Sequence, residues 1–152
     1  MGSAPCKANA QSDDRFVAVD LETTGLKPDK DQIIEIAAIW VENGAKTETF
    51  SCLVQCDCSL PDTIVKLIGI TERQLRENGL PPQKAVKKLV QFIGKERLIG
   101  VHLDFDMQFF QTVCKRCEIP FAANRCTDLL DIARRRVYGC SQLQADDFGK
   151  VF

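Results

Sequence analysis

The sequence predicts an α/β domain with a mixed five-stranded sheet, three antiparallel strands followed by parallel ones, flanked by helices. Three observations carry that expectation. Phe16-Val17-Ala18-Val19 is an apolar, partly β-branched run that reads as a buried strand. The longer run Ile33 to Val41 leads into Asn43-Gly44, a strong hairpin signal, after which Lys46 to Val54 alternates as the returning strand. Beyond Pro61, blocks of helical spacing alternate with short apolar runs, the pattern of strands joined through helical crossovers.

The remaining elements follow in order. Pro61 to Leu67 and Thr71 to Glu77 read as two short helices split by Gly69-Ile70, with Thr71 a natural N-cap. Pro82 to Ile93 places Val86, Leu89, Val90 and Ile93 along one stripe, and Gly94 closes that helix. Leu98 to Val101 is a short buried strand, and Phe105 to Cys117 is helical by periodicity. Asn124 to Thr127 reads as a last short strand, followed by helices over Asp128 to Arg136 and from Gln142 to Val151. Residues 1–14 are small and polar and read as a flexible leader, leaving 15–152 as one domain.

Composition narrows the function classes. Across 152 residues, 20 basic side chains face 21 acidic ones, a net charge of −1, so nucleic-acid binding would need local basic patches or a metal. No apolar run is long enough to span a bilayer and no secretion signal opens the chain, which implies a cytoplasmic protein with no membrane partner. Its 8 cysteines are therefore expected as reduced thiols. A structural zinc site is the alternative, should Cys52, Cys56 and Cys58 meet the Cys114-x-x-Cys117 pair in space.

The chemistry is concentrated in acids. Asp20 and Glu22 follow the first strand directly and, two residues apart, share one face of an extended chain. Two carboxylates that close repel unless a cation sits between them, and Mg²⁺ or Mn²⁺ suit hard oxygen ligands and phosphate chemistry. Asp104 and Asp106 open the helix after the strand Leu98 to Val101, where either could merely cap it. Ligands of α/β sheets gather at the ends of neighbouring strands, so one of these acids joining the pair would suit a two-metal phosphoryl displacement.

Phe16 to Leu26, with Asp20-Leu21-Glu22-Thr23-Thr24-Gly25 at its heart, resembles the first motif of the DEDD-type 3′-to-5′ exonucleases. The proofreading domains of bacterial replicative polymerases are the nearest pattern. Ile33 to Ala37, Leu67 to Thr71, Gly100 to Phe110, Cys126-Thr127 and Ala133-Arg134 resemble further blocks of that family in order. The resemblance implies a ribonuclease-H-like fold and a metal-dependent enzyme that releases nucleoside monophosphates from single-stranded or frayed DNA 3′ ends, with RNA ends also open to it. It implies Asp20, Glu22 and Asp106 as catalytic metal ligands, with Asp104 a solvated neighbour. Leu21, Thr23, Thr24 and Gly25 would hold the terminal nucleotide, Leu26 would pack against its base, and Ile68, His102 and Phe105 would contribute to the same pocket. A polymerase or helicase would be the protein partner.

Two departures accompany the resemblance. His102 stands where the family has Asn. The family's final motif, a general-base His followed by a fourth Asp, is expected shortly after the Gln142 to Lys150 helix, whereas the sequence stops at Phe152. The tyrosine variant of that motif does not substitute, because Gln142 rather than an acid lies four residues after Tyr138. The sequence thus reads as a C-terminally truncated domain with three of the four acids and no base, either a fragment of a longer chain or a shortened form, and a module that binds without turnover is the alternative function.

Overall fold

A computed structural model of the chain describes residues 15–136. Strands β1 (Arg15–Thr23), β2 (Ile33–Glu42) and β3 (Ala45–Leu53) are followed by helices α1 (Asp62–Ile68), α2 (Glu72–Asn78) and α3 (Pro82–Ile93). Then come β4 (Leu98–Gly100), α4 (Leu103–Arg116), β5 (Cys126–Asp128) and α5 (Leu129–Arg136). The five strands form one mixed sheet in the order β3-β2-β1-β4-β5. β1 pairs antiparallel with β2 and parallel with β4, β2 pairs antiparallel with β3, and β4 pairs parallel with β5. The expected fold class is therefore the one observed. The leader and the helix from Gln142 lie outside the described residues.

Local sequence explains most of the elements. Asn43 and Gly44 both adopt positive φ, 52° and 77°, the geometry a tight β2–β3 hairpin requires. Thr71 caps α2 reciprocally: its side chain accepts from the Gln74 N–H while the Gln74 side chain accepts from the Thr71 N–H. Gly69 ends α1 in the left-handed region, where its lack of a Cβ removes the penalty. On α3, Ala85, Val86, Leu89 and Ile93 are buried, with Val90 half-buried at the edge of the stripe.

The main core forms where that stripe and α4 meet the sheet. Val17, Val19 and Leu21 alternate inward along β1 and join Ile36, Ala38, Leu89, Leu98, Leu103, Phe109 and Phe110. A smaller cluster of Ile34, Leu60, Ile70 and Leu75 holds α1 and α2 to the sheet. Gly79, at the end of α2, packs against the backbone of the link after β3 and against the Leu75 carbonyl of its own helix. A Cβ there would lie 2.7 Å from the Gln55 nitrogen and 3.0 Å from the Val54 carbonyl carbon, backbone that cannot swing aside. Gly79→Ala should therefore cost about 1–3 kcal/mol, measured by urea unfolding; a cost within about 0.3 kcal/mol would contradict the packing.

Three expectations need correction. β1 does not end before the acids but runs on through Thr23, with its pairing to β2 slipping between Glu22 and Thr23. α4 begins at Leu103, two residues earlier than periodicity predicts, because the capping group comes from another element. The sulfurs of Cys56 and Cys58 are joined rather than free, the extended link after β3 bringing their Cα atoms to 5.3 Å. Cys52, Cys114, Cys117 and Cys126 are free thiols. Cys56 and Cys117 line one groove, yet among the described residues no group of three His, Cys, Asp or Glu side chains is placed to hold a metal ion.

Candidate active site

The site grows from the alternation along β1. Val17, Val19 and Leu21 are buried, so Asp20 and Glu22 project to the opposite face and remain only half-covered. Strand register adds an acid that periodicity did not single out: Glu35 of β2 lies directly opposite Glu22. Directly opposed residues share a face, and like charges there are unfavourable without a cation. The available signal was a lone acid inside the apolar run Ile33 to Val41.

Asp106 approaches from α4. β4 is only three residues long, and its pairing with β1 stops at Ala18, so among the described residues the far half of β1 has no strand on that side. The Asp106 carboxylate takes that place, accepting a hydrogen bond from the Leu21 N–H. Asp106 is 4% exposed, and among the described residues its Oδ2 has no hydrogen-bond partner. Burial, then the neighbouring charge of Asp20, pushes its pKa up to about 8; the Leu21 N–H pulls the other way, while Glu22 and Asp128 push it further up. The structure thus brings Asp20, Glu22 and Asp106 within electrostatic reach of one another. Asp104, two residues before Asp106, is exposed.

The other expected site residues have separate settings. The loop from Thr23 to Gln32 is tied by its own hydrogen bonds: Thr23 Oγ1 donates to the Gly25 carbonyl at 2.8 Å and Thr24 Oγ1 accepts from the Gln32 N–H at 3.0 Å. A Cβ on Gly25 would lie 2.5 Å from the Asp31 carboxylate, which accepts from the Lys27 N–H at 2.8 Å, so a side chain there would have to displace that contact. Leu26, next to that glycine, is 80% exposed, so it is not a core residue. Ile68 is half-buried against the smaller cluster, and Phe105 is half-buried with its ring 5.0 Å from that of Phe109. Leu21 is buried in the core, so its contribution to the site is its backbone N–H.

His102 explains one departure from the family pattern. It is exposed and adopts φ 55°, ψ 35°, the left-handed conformation, with no capping bond from its own side chain. Asn, Asp and His are the residues other than Gly most often found there. Both Asn and His can adopt that backbone shape.

Asp128 was not singled out by sequence, yet it joins the site to the sheet. It ends β5 beside Gly100 of β4. Its carboxylate accepts from the His102 N–H at 3.2 Å, the Leu103 N–H at 3.0 Å and the Leu130 N–H at 2.9 Å.

A mixed sheet in this strand order, with an acid pair on its central strand and a buried aspartate on the adjoining helix, defines a domain of ribonuclease-H-like fold. The chain belongs to the exonuclease family: RNase_T, described as exonuclease, matches residues 17–145, in keeping with the DEDD-type 3′-to-5′ class. It is 30% identical over 141 residues to the DNA polymerase III subunit epsilon of Aquifex aeolicus, covering 92% of this chain and 69% of that one. It is 32% identical over 121 residues to the 3′-5′ exonuclease DinG of Bacillus subtilis, covering 79% of this chain but only 13% of the relative. Against a PolC-type DNA polymerase III of Halalkalibacterium halodurans, 34% identity extends over 80% of this chain and 8% of the relative. Among solved structures, E. coli exonuclease I in complex with a dT13 oligonucleotide superposes with a TM-score of 0.73 at 23% identity, over 88% of this chain and 33% of that one. That likeness concerns the fold.

Proposed function

We propose that this exonuclease-family domain shortens DNA from the 3′ end, acting on single-stranded or frayed termini and releasing nucleoside monophosphates. The observation that carries the proposal is the unpartnered, buried Asp106 Oδ2 beside Asp20 and Glu22. A carboxylate kept dry with a free lone pair and acidic neighbours suits a cation far better than an empty cleft. Asp20, Glu22 and Asp106 would hold Mg²⁺ or Mn²⁺, and the bound ions would supply a nucleophilic water and stabilise the leaving 3′ oxygen. Since those side chains are not arranged as a finished cage, they would have to draw together.

The chain's own residues have separate tasks in this reading. Leu26, exposed within the loop stiffened by Thr23, Thr24 and Asp31, would present an apolar surface to the terminal base. Ile68 and Phe105 would complete the pocket, while His102 would contribute through backbone shape. In the reaction, water oxygen bonds to the terminal phosphorus as its bond to the preceding 3′ oxygen breaks, leaving the phosphate on the released nucleotide. The names DNA polymerase III subunit epsilon and 3′-5′ exonuclease DinG support a DNA substrate shortened from its 3′ end, and the first of them a polymerase as partner. No helix among the described residues is long and apolar enough to cross a membrane.

A second reading, a binding module without turnover, is favoured by one observation. Among the described residues no group of three His, Cys, Asp or Glu side chains is placed to hold a metal ion. A 5′-labelled single strand incubated with the protein and Mg²⁺ or Mn²⁺ separates the readings. Stepwise shortening from the 3′ end, lost in Asp20→Ala, supports the exonuclease; saturable binding with an intact strand supports the module. Internal cleavage would overturn both.

A further inference from the structure

We propose that Asp128 is a positioning residue, its carboxylate setting the first turn of α4 and thereby the place of the Asp106 carboxylate against β1. This rests on the reading of Asp106 as a metal-holding acid. The first N–H groups of any helix lack intrahelical partners, and a residue at the N-cap ordinarily supplies one. Here His102 occupies the N-cap and supplies none. The missing acceptor arrives across the sheet, because the parallel β4–β5 register places Asp128 beside Gly100, where the chain leaves β4 for α4.

One Asp128 oxygen accepts from Leu103 N–H and the other from both His102 and Leu130. A single carboxylate therefore joins the β4–α4 corner to the start of α5. Only two oxygens that both accept can serve three converging N–H groups, so Asn would turn an NH₂ toward a donor. Asp106 lies one turn further on, and its own N–H reaches the His102 carbonyl at 3.4 Å. A shift of the His102–Leu103 corner is thus passed to Asp106. At the other end Asp106 meets the Leu21 N–H, which makes that amide a reporter of where Asp106 stands.

The placement of Asp128 also has a cost that ordinary capping would avoid. Its negative charge adds to those facing Asp106, whereas a neutral Ser or Thr caps helices nearly as well. A carboxylate is expected at this position if three amides must be fixed at once.

Amide exchange followed by NMR on the metal-free chain tests the proposal. Thr71→Ala, which removes the capping box of the remote helix α2, serves as a control of similar stability loss. Asp128→Asn should speed Leu21 exchange about tenfold or more beyond the control, the equivalent of a charged hydrogen bond lost. Exchange at Ile36, in the sheet core, should change alike in both variants. Asp128→Ser, a neutral cap of shorter reach, should give the same Leu21 effect and replaces Asp128→Asn if that variant fails to fold. Equal Leu21 exchange in the position-128 variant and Thr71→Ala would overturn the proposal. Mn²⁺ titration read by paramagnetic broadening is a separate arm: affinity should fall about tenfold in Asp128→Asn and be unchanged in Thr71→Ala. If the unsubstituted chain shows no saturable Mn²⁺ binding, the metal reading of Asp106 fails, while the Leu21 comparison still decides the positioning role.

Discussion

Asp20→Asn should abolish both Mn²⁺-induced stabilisation and 3′-end shortening, the largest effect expected of any single substitution in this domain. Asp20 stands on the central strand, on the same face as Glu22, and of the neighbouring charges it acts most strongly on Asp106. A cation that binds the native state and not the unfolded chain stabilises by about 2.7 kcal/mol at a hundred times its dissociation constant. For a chain of this size that raises Tm by roughly 5–10 °C. Removing the Asp20 charge should erase the shift and lower any turnover by at least about 10²–10³-fold, the scale for losing a preorganised electrostatic contact. Asp104→Asn, at an exposed position, should retain most of both. Differential scanning fluorimetry with and without millimolar Mn²⁺ reads the first effect directly. An equal Mn²⁺ shift in the parent and Asp20→Asn would remove Asp20 from the metal site.

The second large effect concerns pH and Asp106. Its folded-state pKa lies near 8 because burial and the charge of Asp20 oppose ionisation, against an ordinary value near 4 when unfolded. Below the lower value both states hold the proton, and stability is unaffected by this group. Between the two values the unfolded chain has released its proton while the native state keeps it, so metal-free stability falls as pH rises. The slope approaches at most about 1.4 kcal/mol per pH unit for one such group, and it flattens above pH 8. Asp106→Asn keeps an acceptor for the Leu21 N–H but has no proton to lose. Its Tm should therefore gain on that of the parent steadily from pH 5 to pH 8.

A cation reverses the balance by favouring the ionised carboxylate. Mn²⁺ binding near pH 7 should release about one proton, seen as a dependence of the binding heat on buffer ionisation enthalpy, and affinity should rise with pH. Parallel Tm-against-pH curves for the parent and Asp106→Asn would show that Asp106 does not titrate in this window.

Asp20, Glu22 and Asp106 were legible as candidates because their signals are local. A period of two puts the first pair on one face, and the acids after Val101 sit where a helix must begin. Choosing Asp106 over Asp104 took the family resemblance; the structure adds that one is buried and the other exposed. His102 looked like a departure from pattern until its left-handed backbone gave a reason for it.

By itself, the amino-acid sequence determined the order of strands and helices, the α3 stripe, the Asn43-Gly44 hairpin, the Thr71 cap and the acid pair on β1. Each depends on residues within about one turn or one strand of each other, so periodicity and capping chemistry suffice. Tertiary structure alone decided that Glu35 opposes Glu22, that the short β4 frees the Leu21 N–H for Asp106, and that Asp128 caps a helix whose first residue lies 25 positions earlier. Those relations arise from strand register and from where neighbouring elements stop. Neither leaves a periodic trace in the chain, because a hydrogen bond between distant residues is set by the packing that brings their elements together.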